Sequence, residues 1–150
     1  MPRRASSVSD GLIEPVPMGQ PVSVISFIES GGDIVGAMPV GVLPDKYIDK
    51  IGAKTNIIQL SSDTLQKNLA HHPEITTQDY LNLQTVIENA SVIVQDSENT
   101  LIFVEKRGDR FYHTVIKATQ TGEGVFMTSL RRTRESYVER IKSAGKVLKK

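Results

Sequence analysis

Residues 91–118 read SVIVQDSENTLIFVEKRGDRFYHTVIKA, and this stretch decides the predicted fold. It holds three runs of β-branched and aromatic residues, at 91–95, 100–105 and 111–118, separated by short polar links. Such runs are typical of strands, and links this short predict antiparallel hairpins. A fourth run at 125–130 continues the pattern. The sequence therefore predicts a four-stranded antiparallel sheet.

Two helices are expected before this sheet. A pair of serines at 61–62 can cap a helix over 62–71, which the following Pro73 ends. A pair of threonines at 76–77 can cap a second helix, over residues 77–89. The predicted fold class is therefore α+β, with two helices followed by a four-stranded antiparallel sheet.

The segments before these helices give weaker signals. Residues 1–35 mix Ser, Pro and Gly around one alternating run at 21–28, and they predict a flexible N-terminal arm with one short strand candidate. Residues 38–43 and 57–60 are two further strand candidates within the α+β domain, which we place at 36–132. We expect this domain to fold without the arm, because the arm has few periodic apolar positions.

The chain after the sheet predicts a basic C-terminal helix over residues 133–150. The apolar positions at helical spacing are Tyr137, Ile141, Ala144 and Leu148. Residues 131–150 hold eight basic and two acidic residues, a charge of +6, whereas residues 1–35 sum to −2 and residues 36–130 to −3. A helix of this kind either binds phosphate groups or presents an ordinary solvated surface.

Composition excludes several classes of protein. The 150 residues, 39% of them hydrophobic, suffice for one core but not for two independent domains. The lack of cysteine excludes disulfide bonds, thiolate zinc sites and a cysteine nucleophile. The longest apolar stretch, 34–43, is interrupted by glycine and proline and is shorter than the roughly 20 residues that cross a bilayer. The first residues lack the apolar core of a secretory signal, so we expect a cytoplasmic protein with no membrane partner.

Spacing disfavours three familiar kinds of site. His71 and His72 are adjacent, so on a helix they point about 100° apart and lack the i, i+4 spacing that chelates one ion. No Gly-x-Ser-x-Gly turn supports a serine triad, and the glycines at 31–36 lack the spacing of a nucleotide-binding loop. We therefore expect neither a metal ion nor another cofactor.

His72 can also be a simple cap of the helix carbonyls.

Polar side chains interrupt the predicted strands. The period of two puts Tyr112 on one face of the third strand and His113 and Lys117 on the other. Thr128 lies on the fourth strand, and the arginines at 131–132 follow it. Each of these can be an ordinary exposed sheet position. Their occurrence on one sheet favours a binding or catalytic site.

Several segments together resemble a known family. They are LSSDTLQK at 60–67, HPEIT at 72–76, Tyr80, FYHTVIK at 111–117 and the Thr128-Ser129 strand. In this order they are similar to phage-associated members of the barnase, EndoU, colicin and RelE-like nuclease superfamily, over residues 38–132. That family resembles toxin ribonucleases, is often joined to phage head-morphogenesis proteins, and has two helices leading into a four-stranded antiparallel sheet.

The resemblance implies metal-independent cleavage of RNA, in which the ribose 2′-hydroxyl attacks the adjacent phosphorus and DNA is spared. It implies that His72 is the acid-base residue, that Lys67 and Arg131 stabilise the phosphate, and that Tyr112 and Thr128 position it. His113 is a reserve acid-base group. The residues expected to bind RNA are His113, Lys117, Arg132, Arg140, Lys142 and Lys146.

The resemblance also bears on partners and location. RNA is the implied substrate, and the implied protein partners are an immunity protein or a phage head-morphogenesis protein. Association with a virion, or delivery into a target cell, is the alternative to a cytoplasmic location. A second functional hypothesis stays open, namely a catalytically inactive phage structural or nucleic-acid-binding protein with the same fold.

Overall fold

The computed structural model describes residues 21–31 and 36–149, with side chains from Val24 onward in the first segment. The helices are α1 (Pro21–Glu29), α2 (Asp45–Ile48), α3 (Ser62–His71), α4 (Thr77–Leu81), α5 (Leu83–Glu88) and α6 (Glu135–Ala144), with a short 3₁₀ helix at Asp49–Ile51. The strands are β1 (Ala37–Val42), β2 (Ile57–Ser61), β3 (Val92–Ser97), β4 (Thr100–Arg107), β5 (Arg110–Ala118), β6 (Val125–Thr133) and β7 (Lys146–Lys149).

All these strands belong to one seven-stranded sheet, in the order β1-β2-β6-β5-β4-β3-β7. Neighbours are antiparallel except β2 and β6, which pair in parallel where Ile58 lies opposite Val125. The predicted fold class, two helices and a four-stranded antiparallel sheet, is therefore wrong. The described residues form a mixed sheet with six α-helices. The parallel pairing joins residues far apart in sequence, which local patterns do not show.

The four predicted strands form a meander inside this larger sheet, in which β3, β4, β5 and β6 pair antiparallel in succession. A two-residue turn joins β4 to β5, and its Gly108 has a φ of 63°, which glycine adopts without steric cost. The register places Tyr112 opposite Arg132 and His113 opposite Arg131. Because opposite residues share a face, the register decides which polar side chains lie together.

Local capping agrees with the sequence patterns. The Ser61 hydroxyl accepts a hydrogen bond of 3.1 Å from the Thr64 backbone N–H and begins α3. Thr76 begins α4 in a capping box with Asp79, in which each side chain accepts from the other's backbone N–H. The second predicted helix is interrupted at Asn82 and forms two short helices, α4 and α5.

Apolar side chains form a core on each face of the sheet. The larger core lies under α1, α3, α4 and α5, and its members include Phe27, Leu65, Tyr80, Phe103, Tyr112 and Leu130. The smaller core lies under α6, and its buried members are Val92, Val94, Ile102, Val104, Val138 and Ile141. Consecutive strand residues alternate between the two cores, as the pleat requires.

The strand candidate at 21–28 is helical, which corrects the prediction for the described part of the N-terminal arm. Phe27 and Ile28 are buried in the larger core, Val24 packs against it, and Ser26 is exposed. This i, i+3, i+4 spacing is the helical period, and it outweighs the alternation of Val and Ser in the same run. Residues 21–31 thus belong to the packed domain, while the rest of the predicted arm, 1–20 and 32–35, lies outside the described residues.

The predicted C-terminal helix over 133–150 is also wrong in its extent. Helix α6 ends at Ala144, and β7 then pairs antiparallel with β3. Gly145 permits this change of direction, because a Cβ at this position would collide with the Val94 side chain. Leu148, predicted as the last residue of the helical stripe, packs against the larger core from β7. The short strand escaped prediction because its apolar residues also fit the helical spacing.

An asparagine closes the part of β6 that β2 leaves unpaired. Asn68 on α3 donates from Nδ2 to the Leu130 carbonyl oxygen at 2.8 Å, and its Oδ1 accepts from the Leu130 N–H at 3.1 Å. The same Nδ2 also donates to the Tyr80 hydroxyl at 2.7 Å. Burial raises the pKa of Tyr80, so the hydroxyl stays uncharged. Asn68 therefore fixes α3 against the end of β6, beside Arg131.

Replacing Asn68 with Leu is expected to destabilise the protein by about 2–3 kcal/mol, because the Leu130 N–H and C=O would remain buried without partners. Urea unfolding followed by circular dichroism measures this change. Asn89, exposed at the end of α5, is the matched control: its replacement with Leu should change stability by less than about 0.5 kcal/mol. Equal stability of the two variants would contradict a structural role for the Asn68 hydrogen bonds.

Candidate functional site

A cluster of cationic and aromatic side chains lies where β5 and β6 meet α6. The rings of His113 and Tyr137 pack edge to face with centroids 5.2 Å apart, and the Tyr137 hydroxyl lies 3.3 Å from His113 Nε2. The Arg131 guanidinium lies over the Tyr137 ring at 4.5 Å, and the Arg140 guanidinium at 5.3 Å. We call these four residues the Tyr137 cluster. Strand β5 supplies its histidine, β6 one arginine, and α6 the tyrosine and the other arginine.

The Tyr137 cluster carries an excess of positive charge. Within residues 21–31 and 36–149, neither Arg131 nor Arg140 forms a salt bridge with a carboxylate. Cation–π contacts hold both guanidinium groups in place without neutralising them. The planar N–H groups of arginine match the oxygens of a phosphate, and Arg140 is exposed at the surface. The cluster is therefore suited to binding an anion.

His113 is buried and uncharged at neutral pH. Its side chain is 2% exposed, and its Nδ1 has no hydrogen-bond partner among the described residues. Burial, with a smaller contribution from the positive charge of Arg131, lowers the pKa of His113 to about 4. His113 can therefore orient Tyr137 as a neutral ring. It is poorly suited to exchanging protons with a substrate.

His72 lies at the C-terminal end of α3, one turn after Asn68, which contacts the Leu130 backbone on β6. Its backbone N–H closes the helix on the Asn68 carbonyl at 2.8 Å, and its half-buried ring has Nδ1 3.7 Å from a Glu74 carboxylate oxygen. That distance is too long for a hydrogen bond but brings a negative charge close to the imidazole. His71, one residue earlier, is exposed.

The opposite face of the sheet carries a second group of polar residues. The Tyr112 ring, part of the larger core, lies under the Arg107 guanidinium at 4.3 Å and near the Arg132 guanidinium at 5.9 Å. Glu105 is 5% exposed and accepts from Arg107 Nε at 2.7 Å. Tyr112 and Arg132 are therefore separated by the sheet from Arg131 and His113. The proposed catalytic residues Tyr112 and Arg131 do not share one face.

The remaining predicted site residues are dispersed. Thr128 is exposed at an irregular point of the β5–β6 pairing, where its hydroxyl donates to the Val115 carbonyl oxygen at 3.4 Å. Lys67 and Lys117 are exposed on α3 and β5 respectively. Lys142 pairs with Glu139 on the surface of α6 at 3.2 Å. Lys146 lies on β7, at the edge of the sheet away from β6.

Sequence reasoning missed three residues of these clusters. Tyr137 was assigned to an apolar stripe, although its hydroxyl and ring serve the cationic cluster. Glu105 and Arg107 were not singled out, because charged side chains at the end of a strand are usually solvated. The strand register was the missing signal, since it pairs Glu105 with the aromatic Tyr112 on one face.

Three further observations bear on the class of protein. No group of three or more His, Cys, Asp and Glu side chains in residues 21–31 and 36–149 could hold a metal ion. In the same residues, no helix is long and apolar enough to cross a membrane. Comparisons with protein-family models, curated proteins and solved structures gave no match for this chain.

Lowering the pH is expected to destabilise the protein through His113. The folded pKa of about 4 lies below the ordinary value of 6.5, so the folded state binds fewer protons between these two pH values. The contribution of the neutral His113 to the free energy of unfolding is therefore fully present above pH 6.5. It falls by roughly 3 kcal/mol as the pH drops to about 4. Urea unfolding of wild type and His113→Gln across this range measures the effect. The variant should lose the His113 contribution, and parallel curves would contradict this prediction.

Proposed function

We propose that this protein binds RNA and cleaves it without a metal ion, at the surface formed by the end of α3, the end of β6 and α6. The observation that carries the proposal is the Tyr137 cluster, in which Arg131 and Arg140 lie on one aromatic ring with no carboxylate partner among the described residues. Two guanidinium groups held on one ring suit the oxygens of a phosphodiester. The sequence resemblance to phage-associated nucleases implies the same activity, although the fold that it implied is wrong.

The proposed reaction has two proton transfers. A base removes the proton from the ribose 2′-oxygen, which attacks phosphorus, and an acid returns a proton to the departing 5′-oxygen. His72 is the best candidate for proton transfer, since its ring reaches the surface whereas His113 is enclosed. Arg131 and Arg140 would stabilise the charge that develops on the phosphorane oxygens.

Purified protein and a labelled single-stranded RNA, with a metal chelator present, provide the test. We expect cleavage with a 2′,3′-cyclic phosphate product, and no cleavage of the same sequence made as DNA or as 2′-O-methyl RNA. Cleavage of DNA, or activity that the chelator abolishes, would reject the mechanism. The 2′-O-methyl strand also separates binding from turnover, because it can bind but lacks the nucleophile.

A second candidate function is RNA binding without cleavage. The separation of Tyr112 and Arg132 from Arg131 and His113 by the sheet favours it, because the implied catalytic set is not assembled on one face. A gel shift with intact RNA and no cleavage product would support this alternative. Loss of binding at high salt would show that contacts between cationic side chains and phosphates carry the affinity.

A further inference from the structure

The face of the sheet opposite the Tyr137 cluster has its own concentration of arginines, at the end of the β4–β5 hairpin. Tyr112 lies opposite both Glu105 on β4 and Arg132 on β6, and Arg107 lies opposite Arg110. Residues opposite each other, and residues two apart on one strand, share a face. Three arginines and one glutamate therefore surround Tyr112. We call these five residues the Tyr112 cluster.

Two guanidinium nitrogens of this cluster have no hydrogen-bond acceptor among the described residues. Arg107 uses Nε for Glu105, but its Nη2 is buried without a hydrogen-bond partner in the described residues. Arg132 Nε is likewise buried and unpartnered. Both guanidinium groups lie near the same ring, at 4.3 Å and 5.9 Å from the Tyr112 centroid. A buried charged donor without an acceptor costs free energy, so an anion here would stabilise the cluster.

The charge and exposure of the cluster suit a small anion. The carboxylate of Glu105 offsets one of the three arginines and leaves a charge of +2. The Arg107 side chain is 28% exposed, Arg132 is half-buried and Arg110 is exposed, so the cluster opens to the surface. The planar N–H groups of a guanidinium match the oxygens of a phosphate, a geometry that lysine cannot reproduce.

We propose that Arg107 and Arg132, braced on Tyr112 and oriented by Glu105, bind a phosphate group on the face of the sheet opposite the Tyr137 cluster. The phosphate comes either from the backbone of a bound RNA strand or from the terminal phosphate of a nucleotide or RNA end. This site does not depend on RNA cleavage. Glu105 is a positioning residue here, because it fixes the Arg107 guanidinium through Nε and leaves the other nitrogens for the ligand.

The test is a titration of the full chain with inorganic phosphate, followed by NMR of arginine Nε–H groups. The Arg132 Nε–H signal should shift in a saturable way, and Arg107→Gln should weaken phosphate binding by about tenfold or more, the usual value of a hydrogen bond to a charged group. Because Arg107→Gln leaves Glu105 without its partner, Arg132→Gln provides a second variant, with the Arg107 signal as readout. Arg134→Gln, an exposed arginine just after β6, is the matched control and should bind phosphate as wild type does.

Two oligonucleotide arms identify the source of the phosphate. 2′-O-methyl RNA with a 5′-hydroxyl should compete with inorganic phosphate if backbone diesters occupy the site, whereas only the 5′-phosphorylated strand should compete if a terminal phosphate does. Neither strand can be cleaved through its 2′-oxygen, so the result is independent of the proposed nuclease activity. A linear, non-saturable shift would overturn the proposal. So would equal phosphate affinity in wild type, Arg107→Gln and Arg132→Gln.

Discussion

Replacing His72 with Ala is expected to reduce the rate of RNA cleavage by about 10²- to 10⁴-fold, the range typical for loss of an acid-base group. The fold should change little, since the His72 backbone N–H, which ends α3 on the Asn68 carbonyl, is retained. The measurement is the single-turnover rate at saturating RNA with a chelator present. Unfolding in urea should be measured on the same preparation, so that a lost rate is not mistaken for lost structure.

His71→Ala is the matched control for this prediction. His71 is exposed on the last turn of α3 and its ring lies 6.4 Å from that of His72, so the two variants test neighbouring imidazoles in one protein. Only the His72 variant should lose activity. If both variants cleave RNA at the wild-type rate, His72 is a structural residue and the proposed mechanism fails.

The parts of the fold that sequence predicted correctly are those governed by local chemistry. The four strands of the meander lie where β-branched runs alternate with short polar links, and Gly108 turns the β4–β5 hairpin. The serine and threonine caps likewise begin α3 and α4. In each case the signal and the structure lie within a few residues of each other.

The elements that sequence missed are those in which tertiary packing decided between two local patterns. The run at 21–28 has apolar residues both at alternate positions and at i, i+3, i+4. Burial of Phe27 and Ile28 on one side of α1 selects the helical pattern. The apolar spacing of the preceding helix continues into residues 146–149. These residues form a strand because they pair with the free edge of β3, and Gly145 allows the close approach to Val94.

The sequence predicted several residues of the candidate site, but it did not predict which of them lie together. His113, Arg131 and Arg140 were singled out from the sequence, and the structure brings them together on Tyr137. Arg131 and Arg132 are consecutive on β6, so they serve opposite faces and cannot join one cluster. Asn68 was not predicted as a structural residue, because its role depends on β2 leaving the end of β6 unpaired.

Replacing Phe27 with Ala is expected to lower the free energy of unfolding by about 3–5 kcal/mol, the usual cost of removing a buried phenyl ring. Phe27 is fully buried on α1, which packs on α4 and β1. The cavity would therefore lie in the larger core, between these elements. This expectation replaces the earlier one that the domain folds without residues 1–35. Urea unfolding measures the change, and the steepness of the transition shows whether the variant still unfolds cooperatively.

The neighbouring Ser26 provides the control, because it lies on the same helix but is exposed. Ser26→Ala should leave stability within about 0.5 kcal/mol of wild type, since surface substitutions away from special features have small effects. Comparison of the two variants separates the packing of α1 from its helix propensity. If Phe27→Ala unfolds at the same urea concentration as Ser26→Ala, α1 is not part of the cooperative core. The folded domain would then begin at β1, as the sequence predicted, and the larger core would be stable without the phenyl ring of Phe27.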